Sequence, residues 1–99
     1  MTAYNIVRFK VKPGQNQKFI DGHKKLPKLA GMLEGALVQT GDSTFCLVGK
    51  WKDFASIAKA RPQMIGILDG YRSILEDLGG GLGLTDPVSG EVVVDVGKH

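Results

Sequence analysis

Cysteine is almost missing from this chain. Among 99 residues only Cys46 is present, which excludes an internal disulfide and a cysteine-built metal cluster. It lies in the apolar run Phe45-Cys46-Leu47-Val48 and reads as a small buried hydrophobe. Long apolar runs are also missing: nothing approaches the roughly 20 residues that cross a bilayer. Met1-Thr2-Ala3-Tyr4 has neither the basic nor the apolar segment of a secretory leader, so a cytoplasmic setting is expected, with no membrane partner. Charge of one sign is scarce. Thirteen Lys and Arg against ten Asp and Glu leave +3, too little for a nucleic-acid surface. Lys18, Lys24, Lys25 and Lys28 come nearest to a basic stripe and are expected on a solvated helix face. GxSxG, HExxH and CxxC do not occur.

Glycine is plentiful, and it punctuates the chain. Ala3 to Val11 alternates: Val7, Phe9 and Val11 point one way, Ile6, Arg8 and Lys10 the other. This is a strand with one apolar face, stopped by Pro13-Gly14. Asn16 is expected to cap a helix on which Phe19, His23, Leu26 and Leu29 recur, weakened by Gly22 and Pro27. Leu33–Gln39 and Thr44–Trp51 read as two strands of a hairpin around Thr40-Gly41-Asp42-Ser43. Asp53 caps a second helical region that Pro62 is expected to split. A longer stripe follows: Met64, Ile67, Leu68, Tyr71, Ile74, Leu75 and Leu78, with Glu76 and Asp77 at its far end.

Gly79-Gly80-Gly81-Leu82-Gly83 follows a helix and lacks the phosphate-loop pattern, so it reads as a connector. Thr85 to Gly90 has the composition of a turn, and Val92 to Val96 reads as a last strand. The order is βαββαβ, a single α+β domain over 1–99. A ferredoxin-like fold is expected, with a four-stranded antiparallel sheet and both helices on one face. The other face carries Ile6, Cys46, Val48 and Val93 among Arg8, Lys10, Lys50 and Asp95. A face so apolar, on a chain too short to build a thick core, is expected to pair with a second copy, sheet to sheet.

The hairpin places a pocket. With Gln39 opposite Thr44, Val38 faces Phe45, Ala36 faces Leu47 and Glu34 faces Gly49. Gly49 then leaves a gap walled by Trp51 and closed by the helices, with Phe45, Met64 and Leu68 as further expected substrate contacts. Glu34 is expected at the edge of this pocket, or on the other face if the strand is bulged. His23 and Tyr71 are the candidate polar groups, as general base and hydroxyl donor; as purely structural residues they would be a satisfied core histidine and a core aromatic. Arg61 is placed to guard an entrance. His23 and His99 cannot form a metal site between them. RNA binding through an RRM is not expected, because Thr44–Trp51 lacks the stacking pattern of that module.

The element order, the strand ending Gly49-Lys50-Trp51-Lys52-Asp53-Phe54-Ala55 and the opening Val7-Arg8-Phe9-Lys10-Val11-Lys12-Pro13-Gly14 resemble the antibiotic biosynthesis monooxygenase-like superfamily of dimeric α/β barrels. The resemblance covers roughly residues 3 to 78. It implies a homodimer and, in the cofactor-free branch, oxygenation of an aromatic or quinone-like molecule without a cofactor. The heme-degrading branch joins a helix histidine to the tryptophan, and no His occurs between Trp51 and Leu78. The alternative is a small-molecule-binding or stress-related dimeric barrel without catalysis.

Overall fold

A computed structural model describes residues 1–97; His99 lies outside them. The elements are β1 (Ala3–Val11), α1 (Asn16–Lys24), β2 (Met32–Gln39), β3 (Thr44–Trp51), α2 (Phe54–Asp69), β4 (Leu75–Glu76) and β5 (Thr85–Glu91). A short 3₁₀ turn, Arg72–Ile74, precedes β4. The α+β, ferredoxin-like reading holds, with a sheet of five antiparallel strands. β3 flanks β1 on one side; β4 and β5 share its other side, and β2 is the outer neighbour of β3.

Four expectations about the elements need correction. The last strand is Thr85–Glu91, not the valine run. Val7 pairs with Pro87 on this edge strand, where a missing N–H is tolerated. Val92 to Asp95 lie outside any strand, and Val93 is 87% exposed, so it is not part of the sheet face. α2 runs unbroken through Pro62, so the helix is not split there. The Ala58 carbonyl loses its helical partner at Pro62, but both residues are exposed and water can satisfy it. The helix ends at Asp69, and Tyr71 to Leu78 lie beyond it. α1 stops at Lys24 because Pro27 pushes the preceding Leu26 out of helical geometry; Leu26 and Leu29 therefore sit on the following loop.

The caps divide in the same way. Asp53 caps α2 as expected, accepting from the Ser56 backbone N–H at 2.8 Å and its hydroxyl at 2.7 Å. Gln15, not Asn16, is the capping position of α1. Asn16 instead donates to the Asp42 carbonyl at 2.6 Å, tying the start of α1 to the β2–β3 loop.

The helix-facing side of the sheet holds two buried clusters. Phe9, Val11, Phe19, Phe45, Ile74 and Leu75 form one. Ala3, Leu29, Trp51, Ile57 and Ala60 form the other. Each fully buried large side chain among them contributes about 1.5–3 kcal/mol. On the opposite face, Ile6 stands between Val48 and Val88, and Val48 next to Ala36, in one apolar row across four strands. Half-buried Cys46 and exposed Val38 extend it; Cys46 is thus on the outer face and not in the core. Arg8–Asp86 and Lys10–Glu76 ion pairs border this band.

Candidate functional site

Between the two clusters the core does not close. A cavity of about 420 Å³ opens there, floored by Asn5 and Val7 of β1 and Leu47, Gly49 and Trp51 of β3. Met64 and Leu68 of α2 form its roof, and His23, Leu26 and Tyr71 close one end. Arg61 and β5, through Thr85 and Ser89, contribute to the wall. Its lining is predominantly apolar, as ligand cavities are, with a few polar groups set into it.

His23 is the most defined of these groups. Phe19 packs against it at 4.4 Å between ring centroids, Phe9 at 6.4 Å, and Tyr71 stacks on it at 5.1 Å and 19°. Its Nδ1 lies 2.8 Å from the Phe19 carbonyl. A carbonyl only accepts, so Nδ1 carries the proton and donates. The neutral ring then keeps a lone pair on Nε2. Burial pushes the His23 pKa down, partly opposed by the Phe19 bond, so the ring is held in its neutral, basic form near pH 7. Burial raises the Tyr71 pKa, which keeps its hydroxyl protonated as a donor.

Gly22 explains how Tyr71 reaches this position. A β-carbon on Gly22 would stand 2.7 Å from Tyr71 Cε1 and 3.0 Å from Cζ. The glycine that weakens α1 is the surface on which the Tyr71 ring rests.

At the other end, Trp51 is 1% exposed and its Nε1–H is buried without a partner among the described residues. Leaving such a donor unsatisfied costs about 1–3 kcal/mol. A β-carbon on Gly49 would meet Trp51 Nε1 at 3.0 Å and Met32 Cε at 3.2 Å. The gap expected over Gly49 is therefore occupied by the indole edge and a methionine methyl, and the cavity lies beside it. Asn5 donates to Met64 Sδ at 3.6 Å, a weak bond that leaves most of its amide capacity unspent.

Of the sequence-derived residues, His23, Tyr71, Trp51, Gly49, Met64 and Leu68 come together around this cavity. Glu34 and Phe45 do not. The hairpin pairs Gln39 with Phe45 and Gly35 with Gly49, one residue away from the expected register. Glu34 consequently pairs with Lys50 on the outer face. Five residues, 40–44, separate the paired Gln39 and Phe45, with Thr40 N–H donating to the Thr44 carbonyl at 2.9 Å, and a β2 irregularity at Met32/Glu34 restores the far end. Phe45 is 2% exposed inside the first cluster. Both instead border a second, more open groove of about 640 Å³ along β2. Asn5, Met32, Thr85 and Ser89 were not anticipated. Asn5 shares strand parity with Val7 and was legible on that ground; Thr85 and Ser89 were hidden by their turn-like composition.

Among the described residues, no three His, Cys, Asp or Glu side chains gather as a metal site, and no helix is long and apolar enough to cross a membrane.

No family model and no curated protein matches this chain. Solved structures do. A protein of unknown function from Nitrosomonas europaea is 19% identical, with a TM-score of 0.73 over 95% of this chain and 91% of that one. A presumed antibiotic biosynthesis monooxygenase from Chloroflexus aurantiacus is 16% identical, with a TM-score of 0.69 over 98% of both chains. SnoaB, a cofactor-independent oxygenase from Streptomyces nogalater, is 12% identical, again with a TM-score of 0.69 over 98% of both.

Proposed function

From the fold of the antibiotic biosynthesis monooxygenase-like superfamily, which this chain has, we propose a cofactor-independent oxygenase acting on a small aromatic or quinone-like molecule, specifically its phenol or hydroquinone form. The observation that carries this is His23: neutral, fixed in one tautomer, and set in an apolar cavity. A phenolic hydroxyl placed against Nε2 gives up its proton there. Tyr71 and Asn5 supply donors for the resulting anion, in surroundings dry enough to make each hydrogen bond count.

The anion is electron-rich and passes an electron to molecular oxygen. A C–O bond then forms at the ring, the O–O bond breaks, and one oxygen leaves as water. A hydroquinone and O₂ thus become a hydroxyquinone and water. The substrate supplies all four electrons, so the balance closes without a further reductant. Trp51 and Gly49 position the ring, and Met64 and Leu68 exclude water from it.

The working unit we propose is a homodimer. Burying the row Val88-Ile6-Val48-Ala36 against its copy removes an apolar band from water on a chain with a thin core.

Oxygen uptake with a panel of hydroquinones tests the reaction. Uptake well above that of Trp51→Ala, and lowered about 10²-fold in His23→Gln, is expected. Uptake no faster than the Trp51→Ala control sinks the oxygenase reading.

A further inference from the structure

The cavity and the β2 groove are separate spaces with a common wall. His23, Leu26, Pro27, Met32 and Leu47 line both. Most of these are held in place: Leu47 by the strand, Pro27 by its ring, His23 by its bond to Phe19. Met32 is different. It has three rotatable bonds and stands at the β2 irregularity.

Its methyl rests over two glycines paired across the strands. A β-carbon on Gly35 would lie 2.8 Å from Met32 Cε, and one on Gly49 3.2 Å from it. Trp51 Nε1 stands 3.0 Å from that same Gly49 position. A flexible thioether on a floor without side chains therefore lies beside a buried donor that has no partner among the described residues. Met32 thus lines both spaces and its methyl lies next to the Trp51 N–H.

The groove beyond is suited to an apolar chain. α1 ends at Lys24 and leaves the inner side of β2 only partly covered, so that half-buried Leu37 lines the groove with Ile20, Leu26 and Leu33. Charge is confined to Lys24, Lys28 and Glu34.

We propose that Met32 is a movable partition, and that the ligand is a ring compound bearing an apolar side chain. The ring occupies the cavity, one ring oxygen accepts from Trp51 Nε1–H, and the chain passes Met32 into the groove along β2. This rests on the cavity being the substrate site, as proposed above.

Calorimetric titration with 1,4-naphthoquinones carrying methyl, butyl or octyl at carbon 2 tests it. Each methylene that enters the groove should tighten binding roughly threefold to fourfold until the groove is filled. Met32→Ala should tighten the octyl compound by a larger factor than the methyl compound, which gains only the freed Trp51 N–H. Leu37→Trp, which fills the groove, should abolish the octyl advantage while the methyl compound still binds; its circular dichroism checks that it folds. Equal affinity for all three quinones in wild type overturns the partition and leaves the cavity reading standing. An octyl advantage that survives in Leu37→Trp also overturns it. If no quinone binds, both readings fall.

Discussion

Tyr71 lies on Gly22, its Cε1 only 2.7 Å from where a β-carbon would stand, and this contact holds the phenol in a stack on His23. Gly22→Ala raises helix propensity by about 1 kcal/mol in an ordinary context. Here the added methyl meets a ring packed at 5.5 Å on Phe19, with little room to retreat. The expected result is a net loss of about 1–3 kcal/mol in urea denaturation. In a Tyr71→Ala background the same change should stabilise. A Gly22→Ala variant as stable as wild type in both backgrounds would show that the contact costs nothing to disturb.

His23 makes stability depend on pH with a definite sign. Burial lowers its folded pKa, so the unfolded chain takes up the proton first as pH falls. Above the ordinary value of about 6.5 both states are neutral and the residue contributes no pH dependence. Below it, stability falls until the folded pKa is passed. Melting temperature should therefore decline more steeply below pH 6.5 in wild type than in His23→Gln. Substrate turnover should keep its activity below pH 6.5 and lose it on the acid side as Nε2 protonates. An imidazole titration by NMR with a midpoint above 6.5 would contradict both expectations.

Trp51 fills the second cluster and carries an unsatisfied N–H. Trp51→Ala should cost about 3–5 kcal/mol. Trp51→Phe gives back part of this by removing the buried donor along with some packing. Denaturant midpoints for the two variants decide the point: a Phe variant as damaged as the Ala variant would mean that the orphaned N–H has little energetic weight.

Val48 sits in the middle of the outer apolar row, paired to Ile6 on one side and Ala36 on the other. Val48→Lys puts a charge at the centre of the proposed dimer contact. Light scattering should show wild type at twice the chain mass and this variant at the chain mass. A wild-type protein that elutes as a single chain would refute the pairing.

The parts of the fold that were legible in the sequence are those fixed locally. Ala3 to Val11 alternates cleanly, Thr44–Trp51 is dense in β-forming side chains, and Asp53 is followed at three residues by Ser56. The misread parts depend on distant partners. Thr85-Asp86-Pro87-Val88-Ser89-Gly90 has turn chemistry, yet β1 offers an open edge and Asp86 meets Arg8 there. The hairpin register turned on one extra loop residue, and in a strand one residue exchanges the faces. That is why Glu34 left the candidate site while Gly49 and Trp51 kept their places on β3. His23 and Tyr71 were found by their apolar company on helical stripes, although Tyr71 lies past the end of its helix.

The divided core has a consequence for the life of the protein in a cell. A domain of this size ordinarily fills the centre of its hydrophobic layer, and here that centre is a chamber between two clusters. A molecule bound there bridges the clusters and adds to folding free energy by mass action, about 2.7 kcal/mol at a hundredfold excess over Kd. Without such a molecule the chain would open more often and meet proteases more readily. A ligand that binds in this chamber would thereby raise the amount of folded protein.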